Sequence, residues 1–207
     1  MTISPSNSWL NRLIASVLHV AACLMLATSF QAHAQNGSPM ETVETTVTAI
    51  LEILRNDSID TDEARTLMRI EIGKSFDARA MSQSVLSTNW RDASKEQQDE
   101  FQALFMQTLE NTYIGRVEAY TNEQVDFKKE DINNNRATVD TAILASNNEI
   151  PVNYKLRLRS DGWFVYDVEV ENVSMVSSYR ETYRSVVKRD GMDGLLAQMR
   201  EKAAQVL

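Results

Sequence analysis

The sequence predicts an α+β domain in which amphipathic helices cover one face of an antiparallel sheet. Two changes of period carry this reading. Apolar residues recur at helical spacing up to about Tyr120, alternate with polar ones from about Gln124, and return to helical spacing from Met175. The order of elements is the third observation. Helices, then a meander, then helices leave no alternation of single strands and helices of the kind a parallel sheet requires. The composition fits one ordinary globular domain: 207 residues, 43% apolar and 24% charged, with 3 prolines and 6 glycines. Collagen-like, coiled-coil and disordered classes are excluded, and no internal repeat or low-complexity tract is present.

Arg12 is the sole charged residue before position 35, and an apolar run over residues 13–26 leads from it to Ala32-His33-Ala34. This is the pattern of a secretory signal peptide over residues 1–34, cut before Gln35. The run is too short for a spanning helix. Val20-Ala21-Ala22-Cys23 offers a competing reading, a lipidation box with Cys23 acylated, but the apolar run continues past the cysteine to Leu26 as an uninterrupted leader does. Cleavage removes His19, His33 and Cys23, which are both histidines and the one cysteine. Ser-His-Asp and Cys-His catalysis, disulfides, CxxC redox chemistry and most zinc sites need those side chains. No catalytic residue, metal site or cofactor is therefore expected. The formal charge of −8 becomes more negative when Arg12 leaves, which argues against a nucleic-acid partner.

Residues 35–40 read as a polar leader and 41–207 as a single domain. Val43, Val47, Ile50, Leu51 and Leu54 share one helical face. Ser94 followed by Gln97 is a capping box for a long helix whose Phe101, Leu104, Phe105, Leu109, Tyr113 and Val117 form a broad apolar face. The sheet follows: Val125 and Phe127, residues 137–144, and then Val152, Tyr154, Leu156 and Leu158 alternating with Asn153, Lys155, Arg157 and Arg159. Asn133-Asn134-Asn135, Asn147-Asn148 and Asp161-Gly162 fall at hairpin spacing, predicting about four strands. Alternation in the last strand places Phe164, Tyr166, Val168 and Val170 on one face and Trp163, Val165, Asp167 and Glu169 on the other. Met175, Val176, Tyr179, Tyr183, Val186 and Val187 restore helical spacing, which Asp190-Gly191 stops and Leu195, Leu196 and Met199 resume.

The run Trp163-Phe164-Val165-Tyr166-Asp167-Val168-Glu169-Val170-Glu171-Asn172-Val173-Ser174-Met175-Val176-Ser177-Ser178-Tyr179-Arg180 resembles the signature of the MlaC family, the periplasmic phospholipid-binding component of the Mla ABC transport system, also called toluene-tolerance auxiliary proteins. Phe76-Asp77-Ala78-Arg79-Ala80-Met81-Ser82 resembles the family's FD-x-x-x-M segment. Trp90-Arg91 with the helix over residues 101–120 resembles its central helix. Pro151-Val152-Asn153-Tyr154 and Gly191-Met192-Asp193-Gly194-Leu195-Leu196 resemble its third-strand and C-terminal motifs. Asn172 stands where the family often has glycine, a turn position that asparagine occupies at positive φ.

The resemblance implies a soluble periplasmic carrier that moves glycerophospholipids between an inner-membrane ABC transporter complex and an outer-membrane lipoprotein complex, maintaining outer-membrane lipid asymmetry. Exposing the roughly 30 methylenes of a diacyl lipid costs on the order of 24 kcal/mol, at about 0.8 kcal/mol each. A carrier therefore needs an apolar cavity under a curved sheet, at the large end of the roughly 300 to 1,000 Å³ range of ligand pockets or beyond it. The residues assigned to it on this basis are Met81, Phe101, Phe105, Leu109, Tyr154, Leu156, Tyr166, Val168, Met175 and Tyr179. Arg180, Arg184 and Lys188 form a basic stripe with two readings, a solvated helix face or contact with a headgroup or transport partner. A monomer is the default for a diffusing shuttle. Asp167, Glu169 and Glu171 read as a solvated strand face. An enzyme on a cone like that of ketosteroid isomerase, with Tyr166 or Asp167 in the pocket, and a ligand-free periplasmic adaptor are the alternatives. The enzyme needs a polar group of shifted pKa deep in the cavity, whereas the carrier needs a dry one.

Overall fold

Ser38 marks the start of the first helix. Its hydroxyl accepts from the Glu41 amide, the Glu41 carboxylate accepts from the Ser38 amide, and Pro39 occupies a first-turn position that needs no N–H partner. Helix α1 (Pro39–Leu54) thus takes in the last residues of the stretch read as a polar leader. The computed structural model describes residues 37–118, 124–145 and 148–204. The leader, its cleavage point, Cys23, Asn147 and Tyr120 lie outside them.

Helix α2 (Thr61–Ser75) starts from Asp60, whose carboxylate accepts from the Glu63 amide. Helix α3 (Ala78–Leu86) and the short α4 (Asn89–Asp92) lead to α5 (Lys95–Glu118). The box read from Ser94 and Gln97 is formed in both directions: the Ser94 amide donates to Gln97 Oε1 and the Gln97 amide donates to Ser94 Oγ. The sheet runs β1 (Gln124–Asn133), β2 (Arg136–Ala145), β3 (Asn148–Arg159), β4 (Gly162–Val170) and β5 (Val173–Ser174), each strand antiparallel to the next. The expected four-strand meander is present, and the two-residue β5 is added by a tight reversal at Glu171 and Asn172, with φ of 51° and 65°. Helix α6 (Met175–Ala204) is broken at Gly191, where φ 72° and ψ −179° are available to glycine at no steric cost.

Strand β4 departs from simple alternation. Leu156 faces Val165 and Tyr154 faces Val168, so one more residue lies between the two partners on β4 than on β3. Tyr166 is taken up by this bulge. Val168 and Val170 therefore share a face with Val165 and Trp163, whereas the expected grouping put them with Phe164 and Tyr166. Asp167, read as solvated, is buried at 5% exposure. It accepts from the Ser174 hydroxyl at 2.6 Å and from the Val176 amide at 3.1 Å, and so satisfies the first turn of α6.

Two apolar clusters hold these elements. Met81, Val85, Leu86, Phe101, Phe105, Val176, Tyr183 and Leu195 join α3, α5 and α6. Within that cluster Phe101 and Phe105 stack at 5.7 Å between centroids, and Tyr183 meets Phe101 edge-on at 5.8 Å. Val43 of α1 packs with Val139, Val152, Leu156, Trp163 and Val165 of the sheet.

Asp77 ties the helices to the sheet. Its carboxylate caps α3 by accepting from the Ala80 amide at 2.8 Å, and it pairs with Arg157 of β3 at 2.5 Å and Arg159 at 3.5 Å. Its amide donates to the Val165 carbonyl of β4 at 2.8 Å. The Asp77 side chain is 3% exposed while the two arginines are 38% and 42% exposed, so the arginines can be re-solvated if it is lost. The cost of removing it lies mainly in the cap and its charge-assisted hydrogen bonds. Asp77→Ala is expected to lower stability by about 2 kcal/mol in urea denaturation, with Asp77→Asn recovering the share that belongs to the cap.

Candidate functional site: an apolar cavity between two helices

A cavity of about 600 Å³ opens between α2 and α5. Met68, Ile72 and Gly73 of α2 form one wall, and Ala103, Met106, Leu109, Tyr113 and Ile114 of α5 form the other. Phe76, Ala78, Met81, Val168 and Met175 contribute from the joint of α2 with α3, from β4 and from the start of α6. The i, i+3, i+4 spacing of Met106, Leu109, Tyr113 and Ile114 gives α5 a second apolar stripe beside the one in the solid core. Among the described residues, the charged side chains lining the cavity are Arg65, Arg69 and Glu110. They are partly exposed, which places them at its solvent edge. Arg65 Nε donates to Glu118 at 2.7 Å and its Nη2 donates to the same carboxylate at 3.2 Å. Arg69 binds Glu110 through Nε at 2.9 Å and through Nη2.

The structure sorts the residues assigned from the sequence. Met81, Leu109, Val168 and Met175 line the cavity. Phe101, Phe105 and Leu156 are fully buried in the two clusters, and Tyr154 packs against the sheet cluster. Tyr166 lies under the Arg136 guanidinium, 5.2 Å from its ring centroid. The cavity volume lies in the middle of the pocket range and not at its large end. Tyr179 lines a separate cavity of about 390 Å³ with Thr112, Tyr183, Gln198 and Lys202, and its hydroxyl lies 3.2 Å from that of Thr112. None of the three residues of the basic stripe lines the main cavity. Arg180 donates to the Ser84 carbonyl at 2.7 Å, joining α6 to α3, Arg184 pairs with Glu181, and Lys188 is exposed.

The match that decides kinship is a family model described as MlaC protein, which spans residues 44–201. The chain belongs to the MlaC family. It is similar to the intermembrane phospholipid transport system binding protein MlaC of Haemophilus influenzae, 25% identical over 152 residues, which is 70% of this chain and 71% of that protein. It is also similar to the toluene tolerance protein ttg2D of Pseudomonas putida, 29% identical over 126 residues, which is 59% of this chain and 58% of that protein. A solved structure of a phospholipid-binding protein from Ralstonia solanacearum, in complex with a phospholipid, shares the fold. Its TM-score is 0.77 at 23% identity, covering 82% of this chain and 99% of that one. The MlaC resemblance read from the motifs is thus shown, and so is the α+β architecture.

Sequence reasoning missed Arg65, Arg69 and Glu110 at the cavity edge of this MlaC chain. An Arg65, Arg69 pair at i, i+4 is visible as a helix-face stripe, but its partners lie 53 and 41 residues away on another helix. Two phenols in the core also deserve a test. Burial pushes the Tyr154 hydroxyl from 10.0 up to about 12. Burial likewise raises Tyr183 to about 12, against a hydrogen bond with Thr108 that lowers it. A raised folded value means the proton is held more tightly in the native state. This stability is complete below pH 10 and is lost as pH rises through about 12. Spectrophotometric titration should show late phenolate formation for Tyr154 and Tyr183, coincident with alkaline unfolding, and Tyr154→Phe should remove one late step.

Proposed function

We propose that this protein is a periplasmic glycerophospholipid carrier that buries acyl chains between α2 and α5 and exchanges cargo with an inner-membrane transporter complex and an outer-membrane lipoprotein complex, maintaining outer-membrane lipid asymmetry. The observation that carries the reading is the character of the cavity's lining: most of it is methionine, aliphatic and aromatic, and its charged residues, Arg65, Arg69 and Glu110, are partly exposed. Each methylene moved from water to such a wall gains about 0.8 kcal/mol, so tails supply most of the affinity and headgroup chemistry little of it. The phospholipid held by the Ralstonia solanacearum relative and the transport role named for the Haemophilus influenzae relative support the same reading. No helix among the described residues is long and apolar enough to cross a membrane. Secretion through the leader over residues 1–34 supplies the periplasmic location. Asp167, the carboxylate that the enzyme alternative would place in the pocket, is instead engaged by the α6 cap, and Glu169 pairs with Lys155. Arg184 and Lys188, exposed and not part of the cavity lining, suit a partner surface better than a headgroup.

Native mass spectrometry of protein purified without detergent is expected to show a co-purifying phospholipid. Met106 is half-buried on the cavity wall, so Met106→Asp should keep a cooperative melt and lose that lipid. At Gly73, also on the wall, an added Cβ meets no atom within 4 Å. Gly73→Leu should gain roughly 0.5 to 1 kcal/mol of stability from helix propensity while reducing the lipid load. A wild-type protein that is empty after such purification, and that takes up no lipid from vesicles, would refute the carrier reading.

A further inference from the structure

The rim of the cavity carries two guanidinium groups, each paired with a carboxylate of α5. Arg65 and Arg69 are four residues apart on α2, one turn of helix and about 6 Å along its axis, so their guanidinium groups emerge on the same face. Both line the cavity, and both are accessible, with side chains 40% and 57% exposed. Each gives two of its five N–H donors to a carboxylate of α5, Arg65 to Glu118 and Arg69 to Glu110. The crossed order of these pairs shows α2 and α5 running antiparallel along the opening. Ion pairs this exposed are weak and screened by salt, so another anion of suitable geometry can replace or join the carboxylate. A phosphate diester offers that geometry, since guanidinium forks match phosphate oxygens with paired, charge-assisted hydrogen bonds. A lipid whose chains lie against Met68, Met106 and Ile114 carries its phosphate at this charged end of an otherwise apolar wall.

We propose that Arg65 and Arg69 bind the phosphate of the cargo at the cavity rim, in competition with the carboxylates of Glu110 and Glu118, so that the headgroup is held reversibly. The proposal rests on the carrier reading and adds to it a subsite, a ligand chemistry and a built-in competitor. The competing carboxylates limit how tightly an anionic headgroup is kept, which suits a protein that must hand its cargo on. Uncharged Gln in place of either partner shifts the balance in opposite directions: removing the guanidinium charges weakens the headgroup contact, and removing the carboxylate charges strengthens it.

The test uses two soluble probes with the same acyl chains, dihexanoyl phosphatidylglycerol and dihexanoyl glycerol, titrated calorimetrically into the purified, lipid-stripped protein, with inorganic phosphate as a third probe. The Arg65→Gln/Arg69→Gln variant should bind the phosphatidylglycerol at least about tenfold more weakly and the diacylglycerol unchanged. The Glu110→Gln/Glu118→Gln variant should bind the phosphatidylglycerol about threefold more tightly, again with no change for the diacylglycerol. High salt should weaken the first probe alone in the wild type. Inorganic phosphate should lower the affinity for phosphatidylglycerol if the rim recognises phosphate without chains, and have no effect if it recognises only a tethered headgroup; both outcomes support the site and separate the two sources. Equal loss of both lipid probes in the arginine variant, or no loss of either, overturns the proposal while leaving the carrier reading intact. Failure of the wild type to bind either lipid probe overturns both.

Discussion

One buried acidic residue sits at the joint between the helices that line the cavity and the sheet. Asp77 stands where α2 ends and α3 begins, and it meets the sheet twice, through its amide to Val165 and through its side chain to Arg157 and Arg159. That joint ties the end of α2 to β4. Further along, the pairs of Arg65 with Glu118 and of Arg69 with Glu110 link α2 to α5, and the space between the two helices is lined by methionine and aliphatic side chains. Capping Ala80 with the same carboxylate turns the chain into α3, which delivers Met81 to the inner end of that space. One acidic side chain thereby joins local helix initiation to the geometry of a binding cavity.

Much of the fold was legible because local chemistry dictates it. Ser94 and Gln97 announce a helix start by their spacing alone, and both hydrogen bonds are present. Asn172 fits a turn position that asparagine occupies at positive φ, and it adopts 65°. Asp190-Gly191 signals a helix stop, and the backbone breaks at Gly191. The bulge at Tyr166 was not legible, since strict alternation along β4 is an equally good pattern and only pairing against β3 shows where a residue is inserted. Its effect was to exchange the roles of Asp167, which became a buried cap, and Tyr166, which left the face shared by Tyr154 and Leu156.

The site was half legible for a related reason. Met81, Leu109, Val168 and Met175 follow from family motifs and apolar spacing, whereas Phe101, Phe105 and Leu156 satisfy the same patterns and went to solid core. An apolar face says that a residue is turned from water, not whether a neighbour or a ligand covers it. The rim was harder still. Charged residues on a helix surface have no periodic signature that separates a cavity-lining pair from a solvated stripe, and Arg180, Arg184 and Lys188 form the denser basic cluster in the sequence. What distinguishes Arg65 and Arg69 is tertiary: they sit across an opening from Glu118 and Glu110.

The open sheet has two ends, and their construction bears on how such a protein survives among its own copies. Strand β1 carries Lys128, Lys129, Glu130 and Asp131 in succession and is kinked by an irregularity between Phe127 and Lys129, while the opposite end is closed by the two-residue β5. A charged, bent border on one side and a truncated one on the other deny a second chain the straight row of N–H and C=O groups it would need for strand addition. Cavity and sheet borders are thus separate surfaces: the apolar lining lies mainly on helices, while the open backbone edges of the sheet carry charge or are cut short.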